Sequence, residues 1–204
     1  MDPRLVIAAQ NAIGFMPDAE GLALFAAARD RADRGPLLEV GTYCGKSAIY
    51  LGAAAGECGS ILYTVDHHHG SEENQAGWEH HDQRLVNSET GQLDTLPWFR
   101  RTIAAAELDD TVVAVIGSST TVATHWTTQL AMVFIDGGHA LDVAKADYEA
   151  WSPKIIPEGL LAFHDVFEDP KDGGQAPYEV YCQALNEGWS LLSATGSLRV
   201  LERK

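Results

Sequence analysis

Hydrophobic residues along this chain fall into short runs, which alternate with longer stretches in which apolar and polar positions are mixed. The short runs predict strands at residues 37–40, 61–65, 111–116, 130–135 and 160–163. The mixed stretches predict helices at residues 46–55, 96–108, 121–126, 140–151 and 175–186. This alternation is typical of an α/β fold with a mostly parallel sheet covered by helices on both faces.

Three segments depart from the alternation. Residues 1–35 form a helical extension, in which Asp18 is expected to cap a helix over 19–34 that ends at Gly35-Pro36. Residues 67–94 form a long polar insertion, which we expect to cover a cofactor or shape an acceptor pocket. Residues 189–194 and 198–201 flank a turn and predict an antiparallel hairpin at the end of the sheet. We therefore predict a single domain over residues 1–204.

Composition narrows the class of protein. The 204 residues hold 14 Lys and Arg against 29 Asp and Glu, and a net charge of −15 argues against binding nucleic acid. No apolar run approaches the roughly 20 residues that span a bilayer, and the N-terminus lacks a signal-peptide core. Cys44, Cys58 and Cys182 form no CxxC pair, so neither a disulfide framework nor a zinc site is indicated. We expect a soluble, cytoplasmic protein.

The first predicted strand leads through a glycine loop, LEVGTYCGKS, into a helix. Gly41 and Gly45 allow the backbone to approach a ligand closely, and the helix offers its N-terminal N–H groups. The GxxxG spacing is neither the GxGxxG of dinucleotide folds nor a phosphate loop. Glu39 would repel a pyrophosphate but could bind an amine. The cofactor-binding residues expected here are Glu39, Gly41, Thr42, Tyr43, Gly45 and Ser47.

Asp66 ends the second strand and could accept hydrogen bonds from both hydroxyls of a ribose. Taken alone, Glu39 or Asp66 is more commonly a cap or turn residue. Together, in an alternating α/β chain, they favour a cofactor of the nucleoside type. Ser118 and Ser119 follow the third strand, where they could line an adenine or equally form a plain turn with a helix cap.

The fourth and fifth predicted strands each end in an acid, Asp136 and Asp165. Adjacent parallel strands bring both carboxylates to one edge of the sheet, where two acids without a cation would be costly. Carboxylate and water ligands suit Mg²⁺, so a metal site is favoured over two strand-end caps. His139, three residues after Asp136, would by itself be assigned to a solvated loop or a helix cap.

The segment EVGTYCGKSAIYL resembles the first motif of class I S-adenosylmethionine-dependent O-methyltransferases, especially the loop of catechol O-methyltransferase. The resemblance extends over residues 37–201. It implies a Rossmann-like, doubly wound sheet of seven strands that ends in an antiparallel hairpin. It also implies S-adenosyl-L-methionine as the cofactor.

The resemblance also assigns roles at the fourth and fifth strands. In catechol-type and macrocin-type methyltransferases, a metal-binding Asp ends the fourth strand and a general base follows three residues later, which here match Asp136 and His139. Asp136 is also expected to contact the cofactor. Two adjacent metal ligands end the fifth strand of the family, and here they match His164 and Asp165. A histidine departs from the usual acid, so His164 could bind Mg²⁺ or another divalent cation, bind a substrate hydroxyl, or do neither.

Five of the eight histidines fall between residues 67 and 81, among the acids Glu72, Glu73, Glu79 and Asp82. A zinc cluster is the alternative here, but the ligand spacing is irregular, and a loop at the sheet edge is favoured. Trp78 and Trp98 could stack on the apolar face of a sugar or anchor the loop.

These features predict a divalent-metal-assisted O-methyltransferase that uses S-adenosylmethionine, with His139 as the catalytic base. The histidine base and polar loop favour a sugar or oligosaccharide hydroxyl over a catechol, as in methyltransferases that act on methylmannose polysaccharides, which this chain resembles. The alternatives are a catechol-type enzyme, an NAD-dependent oxidoreductase and a noncatalytic cofactor-binding module. Residues 1–35 and 67–94 could also cover a homodimer interface.

Overall fold

A computed structural model describes residues 1–78 and 80–203, so that Glu79 of the histidine-rich insertion and Lys204 lie outside the described residues. The strands are β1 (Leu37–Val40), β2 (Leu62–Asp66), β3 (Val112–Ile116), β4 (Leu130–Ile135), β5 (Ile155–Phe163), β6 (Trp189–Thr195) and β7 (Leu198–Arg203). The helices are α1 (Pro3–Asn11), α2 (Asp18–Arg29), α3 (Lys46–Glu57), α4 (Leu96–Ala105), α5 (Ser119–Thr124), α6 (Leu141–Trp151) and α7 (Ala176–Asn186).

The strands form one sheet in the order β3-β2-β1-β4-β5-β7-β6. Strands β1 to β5 run parallel to one another, whereas β7 runs antiparallel to both β5 and β6. The predicted fold, a mostly parallel doubly wound sheet with a C-terminal antiparallel hairpin, is confirmed. Strands β2 and β3 lie on one side of β1, and β4 and β5 lie on the other, so the order reverses between β1 and β4. Such reversals create ligand crevices at the carboxyl ends of the strands.

The register brings the carboxyl ends of the central strands to one level. Val40 at the end of β1 is paired with Val65 of β2 and with Ile135 of β4. Ile135 is in turn paired with Phe163 at the end of β5. The loops that follow these strands therefore leave the sheet side by side, and their polar residues meet at one edge.

Helices cover both faces of the sheet. Helices α1 to α4 pack over one face, where Leu37, Met132 and Phe134 are buried. Helices α5 to α7 contribute to the core on the other face, around Leu38 and Val133. These alternating strand residues point to opposite faces, so the central strands are mainly apolar on both faces, as their sequences indicated.

Two predicted elements differ from the structure. The N-terminal extension contains two helices, α1 and α2, separated by a segment that includes Gly14 and Pro17. Helix α2 has Pro17 rather than Asp18 at its N-cap and ends at Arg29, before the predicted end at residue 34, and a separate 3-10 turn follows over Ala32–Arg34. Strand β5 begins at Ile155, five residues before its predicted start. Its first half passes Pro157-Glu158-Gly159, residues that disfavour a regular strand, and a register shift accommodates them. None of the helices described is both long and apolar enough to cross a membrane.

Candidate active site

Two cavities open at the carboxyl edge of the sheet. The first, of about 780 Å³, lies over the ends of β1 to β4. The second, of about 600 Å³, lies between residues 13–16 of the N-terminal extension and the loop after β5. The two cavities meet at a wall whose residues line both, among them Gly41, Tyr43, Glu73, Trp78, Asp136 and His139.

The glycine loop after β1 lines both cavities through Gly41. This glycine has φ of 84°, and a Cβ there would overlap the carbonyl oxygen of Asp136, so only glycine fits. Thr42 and Ser47 line the second cavity. Gly45, also predicted to bind the cofactor, caps α3 and faces Phe99 rather than either cavity.

Asp66 at the end of β2 lines the first cavity and ties the neighbouring loops together. Its Oδ2 accepts hydrogen bonds from the backbone N–H of Thr42 (2.8 Å) and Tyr43 (2.9 Å), and its Oδ1 accepts one from His68 (2.7 Å). A carboxylate oxygen can accept two hydrogen bonds, so Oδ1 retains room for a ligand hydroxyl. The Asp66 carboxylate thus both builds the loop and is available to a ligand.

The far wall of the first cavity is formed by the segment after β3. Ser118 and Ser119, for which the sequence suggested contact with an adenine, both line it. The indole N–H of Trp151 donates a 2.7 Å hydrogen bond to Ser119 Oγ and fixes that hydroxyl. Asp147 of α6, which sequence reasoning did not identify, is buried in the same wall, and burial raises its pKa.

Glu39 lies behind the glycine loop, in neither cavity. Its side chain is 0% exposed, and neither carboxyl oxygen has a hydrogen-bond partner among the described residues. Complete burial raises the pKa of Glu39 to about 8, and the nearby carboxylates of Asp136 and Asp66 add to the rise. The geometry therefore offers no direct contact between this predicted amine-binding residue and a ligand in either cavity.

His139 stands at the wall between the cavities with a carboxylate on each side of its ring. Its Nε2 lies 3.3 Å from Asp165 Oδ2, and its Nδ1 lies 3.0 Å from Glu73 Oε2. The hydrogen bond with Asp165, opposed by burial and supported by the Glu73 charge, raises the pKa of His139 to about 9. The structure thus places the predicted base at the junction and adds Glu73 as a partner that the sequence did not indicate.

His164 is buried behind this junction, with only 5% of its surface exposed. Its Nε2 lies 2.6 Å from Glu20 Oε2, and its Nδ1 lies 3.2 Å from Asp136 Oδ1 and 3.3 Å from Asp165 Oδ1. Burial alone would lower the pKa of His164, but these carboxylates outweigh it and raise the pKa to about 12. Both ring nitrogens of His164 thus face carboxylates, and the group of convergent donor atoms around Asp136 does not include this predicted ligand.

A divalent cation would find its ligands in the remaining groups. Asp136, His139 and Asp165 each offer one donor atom, and these atoms lie within 4.8 Å of one another. Two carboxylates with water or substrate oxygens suit Mg²⁺, and an added imidazole suits transition metals. Asp165 has φ of 54°, an uncommon backbone conformation for a non-glycine residue and one often found at functional sites. The donor set fits a metal through Asp136 and Asp165.

Histidine side chains of the histidine-rich insertion form hydrogen bonds that stabilise its conformation. His68 Nδ1 lies 2.8 Å from Thr95 Oγ1, and His69 Nδ1 lies 3.2 Å from the carbonyl oxygen of Leu93. His81 Nδ1 lies 3.0 Å from the carbonyl oxygen of Asn74. These contacts support a structural use of the histidines, and the only candidate metal group within residues 1–78 and 80–203 is the one around Asp136.

The two tryptophans considered for sugar stacking have different surroundings. Trp98 packs against a small buried cluster of the insertion that includes Leu85 and Leu93. Trp78 is 52% exposed and lines both cavities. Phe15, 59% exposed, joins it at the second cavity, with its ring 5.5 Å from that of Tyr43. Two exposed aromatic side chains therefore line the second cavity.

Residues 38–166 match the model of a protein family described as a methyltransferase domain. Among similar solved structures, the O-methyltransferase NovP has a TM-score of 0.70 at 16% identity, over 95% of this chain and 83% of that chain. TomG from Streptomyces achromogenes, an O-methyltransferase involved in tomaymycin synthesis and solved with S-adenosylmethionine, has a TM-score of 0.65 at 18% identity, over 100% and 91%. The O-methyltransferase from Bacillus cereus, solved with S-adenosylhomocysteine, has a TM-score of 0.65 at 18% identity, over 100% and 92%. These chains share the fold described here.

Proposed function

This chain belongs to the methyltransferase domain family that its residues 38–166 match, and from that premise we propose that it transfers a methyl group from S-adenosylmethionine to a sugar hydroxyl with the aid of a divalent cation. The predicted membership of the class I methyltransferases is confirmed by this match and by the strand order.

The observation that carries the proposal is the shared wall of the two cavities. The first cavity offers Asp66 to a ribose and Ser118 and Ser119 to an adenine. The second cavity opens to solvent between the N-terminal extension and the loop after β5, and it suits an acceptor. Asp136 and His139 line both cavities, so a sulfonium in one and a hydroxyl in the other would meet beside them. Holding the two in line accounts for a large part of the rate gain in such transfers.

The transfer needs a base and yields a neutral ether. His139 takes the proton of the acceptor hydroxyl, whose oxygen forms a bond to the methyl carbon as the carbon–sulfur bond breaks. The sulfur keeps the electron pair, so the products are S-adenosylhomocysteine, the methyl ether and a protonated His139. A cation held by Asp136 and Asp165 supplies, when bound, positive charge that lowers the pKa of the acceptor hydroxyl.

Replacing Asp66 with alanine should weaken the binding of S-adenosylhomocysteine by roughly 5- to 150-fold, since about 1–3 kcal/mol of hydrogen bonding is lost. The loss combines the ribose contact with the anchoring of Thr42 and Tyr43, whose N–H groups Asp66 holds. Isothermal titration calorimetry measures the affinity. Asp82→Ala, in the insertion that follows β2 and outside both cavities, is the matched control. An unchanged affinity in Asp66→Ala would remove Asp66 from the cofactor site.

Chelation of metal should abolish turnover, and Mg²⁺ should restore it in the wild-type protein but not in Asp136→Asn or Asp165→Asn. These two carboxylates are the acidic members of the candidate metal group. Asp169→Asn, exposed in the loop after β5 and outside both the cavities and the group, should be rescued normally. Full turnover in chelator, with metal-free protein verified by elemental analysis, would contradict the role of the cation.

The sugar acceptor is supported by side chains that line the second cavity. Exposed aromatic faces at Phe15 and Trp78 suit the apolar face of a pyranose, and Lys46, Asn74 and Asp172 supply polar groups for hydroxyls. We expect methyl α-mannoside and similar glycosides with vicinal hydroxyls to be methylated faster than catechol when both are offered with radiolabelled S-adenosylmethionine. A preference for catechol would favour the catechol-type alternative. The homodimer and the cytoplasmic location stay predictions.

A further inference from the structure

The histidine-rich insertion places one acid, Glu73, against the proposed base. We infer that Glu73 is a positioning residue, which holds the Nδ1–H of His139 so that Nε2 faces the acceptor cavity. The inference rests on the proposed function and adds to it a role for the insertion. Glu73 and His139 are 66 residues apart in the chain, and their contact joins the insertion to the loop after β4.

The backbone around Glu73 is fixed by local hydrogen bonds. Glu73 lies in a 3-10 turn, Glu72–Asn74, whose start is capped reciprocally by Ser71 and Asn74. The Asn74 side chain is buried and accepts a 2.9 Å hydrogen bond from the backbone N–H of Ser71. The backbone N–H of His80 donates to the carbonyl oxygen of Glu73 at 3.2 Å. The turn therefore presents the Glu73 carboxylate from a defined position.

The carboxylate meets one ring nitrogen of His139 with both oxygens. Glu73 Oε1 and Oε2 lie 3.1 and 3.0 Å from Nδ1. An ionised carboxylate only accepts hydrogen bonds, so the contact with Glu73 requires a proton on Nδ1, and the two Glu73 oxygens lie closer to that nitrogen than Asp165 Oδ2 lies to Nε2, at 3.3 Å. In the neutral ring the lone pair is then on Nε2, which lies on the side of Asp165, a residue of the second cavity.

This arrangement explains the position of the insertion in the fold. Glu73 lines both cavities, as His139 does. The insertion that lines the first cavity therefore also supplies the hydrogen-bond partner of the proposed base. The side chains of Glu73 and His139 are 32% and 28% exposed, so their hydrogen bond is largely shielded from water and can fix the orientation of the His139 ring. An exposed acid elsewhere in the insertion, such as Glu89, lines neither cavity and cannot serve this role.

A double-mutant cycle tests the inference with methyl α-mannoside as the acceptor. Glu73→Ala should lower kcat about 10- to 100-fold, the usual effect of losing the partner that orients a functional histidine. The KM for S-adenosylmethionine should stay within about twofold of wild type, Glu73→Gln should recover most of kcat, and Glu89→Ala should have no effect. Adding Glu73→Ala to His139→Ala should cause no further loss, because the acid acts through the ring.

Each contrary outcome has a distinct meaning. Unchanged kcat in Glu73→Ala, with kcat lost in His139→Ala, would overturn the positioning role and leave the proposed function intact. A further loss in the double variant would show that Glu73 acts independently of His139 and would also overturn it. Full kcat in His139→Ala would instead refute the proposed base.

A second measurement needs no acceptor. Long-range ¹H–¹⁵N spectra of protein labelled at histidine distinguish the two neutral tautomers, and His139→Ala assigns the resonances. Above its pKa, His139 should carry its proton on Nδ1 in the wild-type protein and in Glu73→Gln, and Glu73→Ala should shift it toward Nε2. A proton on Nε2 in the wild type, or no shift in Glu73→Ala, would overturn the inference.

Discussion

Replacing His139 with alanine should lower turnover by about 10²- to 10⁴-fold, the range expected when a positioned base is lost. His139 lies at the wall between the cavities, with its Nε2 on the acceptor side. The affinity for S-adenosylhomocysteine should stay near the wild-type value, because the ribose and adenine contacts lie elsewhere in the first cavity. Single-turnover methyl transfer and calorimetry measure the two effects separately. His125→Ala, at the end of α5 and outside both cavities, is the matched control.

The pH dependence of the wild-type enzyme should carry the signature of this base. A base acts only in its unprotonated form, so the rate should rise with pH through the pKa of His139. Asp165 and Glu73 raise that pKa from 6.5 to about 9 in the protein without a bound cation, and a bound cation would draw it back down. The midpoint of this pH-dependent increase in rate should therefore lie between pH 6.5 and about 9. The residual rate of His139→Ala should not show the increase. Retention of more than about a tenth of wild-type turnover in His139→Ala would move the base to another group.

Replacing Glu20 with alanine should lower the free energy of unfolding by about 3–5 kcal/mol, the cost of leaving a buried charge without its partner. Glu20 accepts hydrogen bonds from His164 Nε2 (2.6 Å), from the backbone N–H of Ser197 (2.9 Å) and from Ser197 Oγ (3.1 Å). Its loss leaves the His164 cation partly unpaired and frees the hairpin turn at Ser197. Denaturant unfolding measures the change. Glu20→Gln, which can still accept hydrogen bonds, should lose less, and a loss below about 1 kcal/mol in Glu20→Ala would contradict a structural ion pair.

The stability contributed by this pair should have a defined pH window. Hydrogen bonds from His164 and Ser197 outweigh burial and lower the pKa of Glu20 from 4.5, so its contribution is present above that pH and is lost as the pH falls through the lowered value. The raised pKa of His164 has the opposite sign: its contribution is complete below 6.5 and is lost as the pH rises toward about 12. The difference in stability between wild type and Glu20→Ala should therefore be largest between pH 4.5 and 6.5.

Most of the sheet could be predicted from the sequence because strands β1 to β4 are short runs of mainly apolar residues. Strand β4 begins and ends where its pattern indicated, at Leu130 and Ile135. Strand ends also located the site, because parallel strands deliver Asp66, Asp136 and Asp165 to one edge. The first half of strand β5 could not be predicted, because Pro157 and Gly159 interrupt its apolar pattern and, among the described residues, only Ile155 there is paired, with Leu130 of β4.

Contacts between distant segments could not be predicted. Glu20 lies 144 residues from His164, and nothing in the pattern of α2 marks it as a partner of the fifth strand. The sequence left His164 open among three roles because its charge depends on carboxylates from two other segments. Glu39 shows the same limit, since only the fold reveals that it lies behind the glycine loop and outside both cavities.

The most direct test of the central claim is a calorimetric titration of the purified protein with S-adenosylhomocysteine and, in parallel, with NAD⁺. The first cavity pairs Asp66 with Ser118 and Ser119 and follows a GxxxG loop, a combination that suits a nucleoside without a pyrophosphate. We predict binding of one S-adenosylhomocysteine per chain, weakened in Asp66→Ala, and no binding of NAD⁺ at the same concentrations. Binding of NAD⁺ without binding of S-adenosylhomocysteine would contradict the account.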